Sequence, residues 1–207
     1  MSKVFFDVGM SLDGYIAGPN RGPKNPLGDG GVGMHEWMFR TQTFREKLGL
    51  GGAGETSRDD EIVRRIFERS GAYVMGRVMF DEGEANWPEE APFGAPVFVL
   101  THDPRAPWVR KGGTTFHFVT DGFESALAQA KAAAKGKDVR ISGGAESIRQ
   151  YLDAGQIDEF TLHIAPVILG EGVRLFHRLS PEKLKFEQTA SSGSEIVTHV
   201  DYRVRRD

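Results

Sequence analysis

Between Val139 and Ser147 the chain reads Val-Arg-Ile-Ser-Gly-Gly-Ala-Glu-Ser, an apolar strand that runs through a glycine pair straight into a helix. Such a junction gathers free backbone N–H groups and a helix dipole of about half a positive charge at one spot, which suits an anion such as a pyrophosphate. A second junction of this kind is Tyr73-Val74-Met75-Gly76-Arg77-Val78-Met79, with an arginine in the first helical turn. Arginine grips phosphate with two parallel hydrogen bonds, so Arg77 would suit a 2′-phosphate. Singly, each junction reads equally well as a tight turn or a surface ion pair. Two in one sheet are what dinucleotide binding across strand ends requires. His163, between Leu162 and Ile164, reads as pocket lining or as a core histidine with its partners satisfied.

Other chemistries lack their residues. There is no cysteine, which removes disulfides, thiolate nucleophiles and Cys-bound zinc and fits a reducing, cytoplasmic setting. His35-Glu36 would need a second histidine at position 39 to make a zinc motif, and Phe39 stands there. No metal is implied. No GxSxG elbow supports serine hydrolysis. The net charge of −3 gives no basic footprint for nucleic acid, and no apolar run approaches the roughly 18 residues of a membrane span.

Elements that could position these residues follow from periodicity and punctuation. Strands are predicted at Lys3–Val8, Ala72–Met75, Val97–Thr101, Phe116–Thr120 and Val139–Ser142, then at Asp158–Leu169, Leu184–Ala190 and Glu195–Val204. Helices are predicted over Met34–Leu48, with Trp37, Met38, Phe44 and Leu48 on one side, over Asp59–Arg69, and over Ala145–Ala154. An Ala-rich helix ending near Lys135 starts at a capping box formed by Asp121 and Glu124. The Gly-, Pro- and Asn-rich stretch Gly18–Gly33 is too long for a mere connection. Trp87 and Trp108 fall in Pro-rich loops and read as packing residues. Strand and helix alternate until the last two strands, which predicts one α/β domain with a mostly parallel sheet and a C-terminal antiparallel hairpin.

Ser11-Leu12-Asp13-Gly14-Tyr15-Ile16-Ala17, Met75-Gly76-Arg77, Ser142-Gly143-Gly144-Ala145 and Asp158-Glu159 leading into Ile164-Ala165-Pro166-Val167-Ile168-Leu169-Gly170-Glu171-Gly172 occur in an order that resembles the dihydrofolate-reductase-like proteins. Within them the chain is most similar to the reductase half of the bifunctional riboflavin-biosynthesis deaminase-reductases and its stand-alone relatives, over nearly its whole length. The resemblance implies a three-layer α/β/α fold around a mixed sheet of about eight strands, and an NADPH-dependent oxidoreductase acting on a small heterocycle. It would place Ile16 and Ala17 against the nicotinamide. Arg77, Thr101 and His102 would lie near the adenosine 2′-phosphate, with Gly76 and Val78 also binding the cofactor, and Ser142, Gly143, Gly144, Ala145, Glu146 and Ser147 around the pyrophosphate. Asp60, at a helix start fifteen residues before Met75 (75 − 60), resembles the family's substrate-protonating carboxylate, with Asp13 the next candidate and Asp59 and Glu61 reading as dipole charges.

The sequence also departs from that pattern. The stretch 18–57 is longer than the family's usual first connection, so a loop-plus-helix insertion carrying Trp37 should rebuild the substrate pocket, with His163 as a second lining residue. Ser142 stands where the riboflavin reductases commonly carry an acid, which sets this chain apart from 5-amino-6-(5-phosphoribosylamino)uracil as the expected substrate. The rival reading is a non-catalytic nucleotide- or flavin-binding protein on the same fold. A homodimer is expected from the stand-alone relatives and from apolar area at Phe160, Leu162 and Ile164, which an edge would have to cover.

Overall fold

The computed structural model describes residues 2–206, leaving aside the Lys183 side chain. In chain order the elements are β1 (Val4–Met10), β2 (Tyr15–Ala17), α1 (Glu36–Arg40), α2 (Gln42–Lys47), α3 (Arg58–Arg69), β3 (Ser70–Gly76), α4 (Arg77–Glu84), β4 (Val97–Leu100), β5 (Trp108–Val109), β6 (Thr115–Val119), α5 (Phe123–Ala133), β7 (Asp138–Ile141), α6 (Ala145–Asp153), β8 (Glu159–Ile164), β9 (Val173–Arg174), β10 (Lys185–Gly193) and β11 (Thr198–Arg205). One nine-stranded sheet has the order β10-β11-β8-β1-β7-β3-β4-β6-β5, and β2 and β9 form a small second sheet. The strands from β8 through β1, β7, β3 and β4 to β6 all run parallel. Helices cover both faces, because strands buried on both sides must be covered on both.

The alternation of side chains along each strand divides the core in two. Val74, Phe98, Val139 and Ile141 meet α5 and α6 on one face. Tyr73, Met75, Val97, Val99 and Phe116 meet Phe80 and Trp87 on the other. Because β1, β7, β3, β4 and β6 end on the same edge, the loops after them converge, and ligands of open α/β sheets bind in that crevice.

Several sequence expectations need correction. The main sheet is mixed and mostly parallel as expected, and the short strand β5, which adds antiparallel to β6, brings it to nine strands. Trp108 therefore sits in a strand. The expected helix over 34–48 is broken: a 3-10 turn at Gly31–His35 leads into α1, and Thr41 turns extended (φ −70°, ψ 144°) before α2 begins. Thr41 Oγ1 donates to the Met38 carbonyl and accepts from Phe44 N, so a single hydroxyl ends one helix and caps the next. The capping box is absent: α5 starts at Gly122 (φ 104°), and the Asp121 carboxylate accepts from Ser125 Oγ. The strand expected to reach Leu169 stops at Ile164, just before Pro166, which has no N–H to give. Strand β8 lies between β1 and β11, with Phe160 and Leu162 buried, so these residues offer no edge for a partner.

Candidate active site

A cavity of about 390 Å³ opens at the convergent strand ends, between the β7–α6 junction and the segment that carries Trp37. Two opposite charges from apolar strands form its floor. Asp7 in β1 accepts both Nε and Nη2 of Arg140 in β7, at 2.7 Å each. Burial pushes the Asp7 carboxyl up, and the guanidinium, helped by His163, more than offsets this and holds it at about 2. A second locked pair, Arg21 with Glu82, closes another side at 2.8 and 2.7 Å. Trp37, Met38, Phe44, Leu48, Val63 and Phe67 make an apolar wall, and Trp87 and Phe93 another.

His163 lies on β8 in that lining, 2 % exposed. Its Nδ1 shares a 2.7 Å hydrogen bond with Nδ1 of His199, its cross-strand neighbour on β11. Its Nε2 has no hydrogen-bond partner and lies 3.6 Å from Asp7 Oδ2, beyond hydrogen-bonding reach. Beyond it, Asp59 Oδ1 accepts from His199 Nε2 at 3.1 Å. His35 lines the same cavity, and burial drives its pKa down.

The two glycine junctions come together because β3 and β7 are hydrogen-bonded neighbours. Ser142 N donates to the Val74 carbonyl at 2.7 Å. Gly143 and Gly144 adopt φ of 58° and 76°, a region that a side chain rarely tolerates. Neither α4 nor α6 has a side-chain cap, so the first N–H groups of both are free of that partner. Ser142 Oγ is buried beside the glycines without a partner.

The structure brings Ile16, Ala17, Ser142, Gly143, Gly144, Trp37 and His163 into one lining. It sets Gly76, Arg77, Val78, Thr101, His102, Ala145, Glu146 and Ser147 outside it. Gly76 lies against the start of α6, where a Cβ would sit 2.8 Å from Ser147 Oγ. Arg77 donates to Asp81 at 2.6 Å, to Thr101 at 3.1 Å and to Asp103 at 3.2 Å, while Val78 is exposed and Glu146 pairs with Arg149.

Neither expected acid lines the cavity. Asp60 Oδ1 accepts from Thr43 N at 2.7 Å and so completes the start of α2. The Ser11 hydroxyl, with the bonds that Asp13 accepts from Gly170 N and Leu169 N, holds the Asp13 carboxyl at about 2. Asp60→Ala is therefore expected to cost about 1 kcal/mol of stability, the usual loss for a helix cap. Denaturant unfolding reads that loss, and a collapse of turnover without it would restore Asp60 to the site.

Asp7, Arg140 and His199 went unread, and in the sequence Asp59 reads only as a helix-start charge. A signal existed for the first two, since an acid and a base each interrupt a strand that is otherwise apolar, which buried strands permit only to paired charges.

A family model described as the RibD C-terminal domain matches residues 2–198. The chain belongs to this family. A structure from Shewanella sp. PV-4 named for riboflavin biosynthesis superposes on this RibD C-terminal domain with a TM-score of 0.69, at 22% identity over 99% of both chains. Dihydrofolate reductase from Enterococcus faecalis, solved with NADP(H), gives 0.56 at 13% identity over 99% of this chain and 97% of its own. At these identities the likeness is one of fold. Among sequences, the uncharacterized protein YyaP of Bacillus subtilis is 26% identical over 94% of this chain and 92% of its own length. The uncharacterized YwjB of the same organism is 36% identical over 83 residues, which are 40% of this chain and 47% of YwjB. The fold is thus dihydrofolate-reductase-like, and no described helix is long and apolar enough to cross a membrane.

Proposed function

We propose that the protein is an NADPH-dependent reductase of a small, planar, uncharged heterocycle. The observation that carries this reading is the convergence, at one cavity, of a glycine-rich anion cradle with an aromatic wall. The residues fit the cofactor: Ser142 Oγ is a buried donor without a partner, Gly143 and Gly144 leave the cradle free of side chains, and Gly76 borders it. Ser142 to Gly144 would hold the pyrophosphate, and Ile16 and Ala17 would flank the nicotinamide. When bound, NADPH supplies hydride, while the protein orients the reactants and keeps water out.

The substrate class follows from the lining charges. Arg140 is bound at both ends of its fork to Asp7, and Arg21 likewise to Glu82, so neither cation is at liberty to take a substrate phosphate. Binding and NADPH consumption should be measured with pteridines and aminouracils, each with and without a phosphoribosyl group. The uncharged rings are expected to react, and a strict requirement for the phosphoribosyl form would overturn this assignment.

For the cofactor, Arg77 is the expected contact of the 2′-phosphate, which would displace the exposed Asp103 carboxylate from it. Arg77→Ala should weaken NADPH by about ten- to a hundredfold, the worth of a charged contact of roughly 1.5–3 kcal/mol, and leave NADH almost unchanged. Fluorescence titration with both cofactors reads this, and equal affinities in the wild type would refute the preference.

A further inference from the structure

We infer that His163 is the proton donor to the substrate and that His199 and Asp59 position and charge it, the two rings sharing one transferable proton. This rests on the reductase reading above. Its basis is a continuous buried chain of groups: Asp59 Oδ1 to His199 Nε2 at 3.1 Å, His199 Nδ1 to His163 Nδ1 at 2.7 Å, and His163 Nε2, buried and without a partner on a residue that lines the cavity. Both rings are 2 % exposed, and a cross-strand pairing between β8 and β11 fixes them side by side. Trp37 lies against both, with centroids at 4.6 and 4.8 Å, and shuts water out on that side.

The arrangement dictates the protons. A carboxylate can only accept, so His199 Nε2 carries a hydrogen towards Asp59. The contact between the two Nδ1 atoms needs one hydrogen, which in the neutral pair sits on His163, because His199 already carries its own on Nε2. With those two protons the pair is neutral, and Nε2 of His163 is a bare lone pair 3.6 Å from the Asp7 carboxylate. A third proton, placed on Nε2, faces that carboxylate favourably. The hydrogen between the rings then lets the positive charge sit on His199 beside Asp59.

Delivery balances as follows. Hydride from the reduced nicotinamide bonds to the carbon of a C=N or C=O group, and the His163 Nε2 proton bonds to its nitrogen or oxygen. The hydrogen between the rings moves to His163 Nδ1, the pair falls from three ring protons to two, and Asp59 keeps its hydrogen bond. Cavity water restores the third proton after product leaves.

The charges facing the pair come from every side. Asp7 on β1 and Asp59 on α3 favour the third proton. Asp201 on β11 acts in the same direction on His199, while burial and the neighbouring His163 outweigh these charges and keep the His199 pKa below its ordinary value. Arg140 on β7 opposes the third proton, but Asp7 neutralises it, and His35 is held neutral by burial. Asp59 Oδ2 also accepts from Ser194 Oγ, which anchors the carboxylate from the outer side.

The test begins with the full chain labelled with ¹⁵N-histidine and titrated by NMR from pH 5 to 9 without ligand, in the wild type and in Asp59→Asn. His163 and His199 are expected to move in one common step worth a single proton, as strongly coupled sites do. Asp59→Asn should lower the pair's proton affinity at least tenfold and so shift that step down by about one pH unit or more. Two independent steps, or rings that stay neutral throughout, would overturn the inference without any assay of turnover. His163→Gln should then reduce kcat at least a hundredfold with a reactive pteridine and abolish the alkaline fall of kcat, while NADPH binds as before. Wild-type kcat in His163→Gln would remove His163 as donor and leave the reductase reading standing, whereas a wild type that fails to bind NADPH at all would sink both.

Discussion

Arg140→Met is expected to destabilise the protein by about 3–5 kcal/mol at neutral pH, because it strands the Asp7 carboxylate uncompensated in the interior. The side chain of Asp7 is 7% exposed and that of Arg140 17%, so solvent can replace little of the lost attraction. The sign of the pH dependence separates this account from a simple packing loss. In the wild type the Asp7 carboxyl is held at about 2 in the folded state against an ordinary 3.8, so the stability it contributes is present above pH 4 and is lost as pH falls towards 2. That contribution is on the order of 2 kcal/mol.

In Arg140→Met the folded-state affinity of Asp7 for its proton rises above the unfolded one, so the penalty is full at neutral pH and shrinks as the carboxyl protonates at low pH. Urea midpoints at pH 7 and pH 4 measure both effects. The double variant Asp7→Leu/Arg140→Met should recover most of the loss, since it leaves no unpaired charge. A single-variant cost below about 1 kcal/mol at pH 7 would show that water reaches Asp7 through the cavity and solvates it.

Trp37→Ala is expected to cost about 3–5 kcal/mol, the usual price of deleting a buried indole. Trp37 is 2 % exposed and packs with Val63 and Val197 as well as with the two histidines. The space it vacates joins the existing cavity, so water can fill it and the loss should fall in the lower half of that range. Burial, with His163 and against Asp59, keeps the His199 pKa below its ordinary value, so admitting water should raise it. Trp37→Phe keeps an aromatic lid and should lose under about 1.5 kcal/mol. Thermal or urea unfolding of the three proteins decides the matter. An alanine variant as stable as the wild type would mean that the segment 31–48 is not part of the core.

The framework of the site was legible in the sequence because it is written in local signals. Apolar runs of strand length marked β1, β3, β4, β6 and β7, and a glycine pair between a strand and a helix marked the Ser142–Gly144 cradle. Gly143 and Gly144 take φ above zero, which glycine adopts without the penalty of a Cβ, so that turn is betrayed by residue type alone. The order of elements then fixed the edge of the sheet at which those loops converge. Where local signals compete, the sequence misled. The apolar stripe Trp37, Met38, Phe44 and Leu48 has helical spacing and reaches the cavity, but the Thr41 hydroxyl bonds to its own backbone and divides the helix that should carry it.

The groups proposed to do the chemistry were decided by tertiary structure alone. Asp7 and Arg140 stand 133 residues apart, His163 and His199 36 apart, and Asp59 and His199 140 apart. Adjacent Asp59 and Asp60 are indistinguishable as helix-start acids. Helical geometry turns successive side chains about 100° apart, and this sends Asp59 to the histidine pair and Asp60 to the start of α2. Cross-strand register makes neighbours of two histidines that no local pattern relates. Burial, which only the assembled sheet provides, turns that contact into a hydrogen bond that must be satisfied and leaves one ring nitrogen without a partner in the cavity wall.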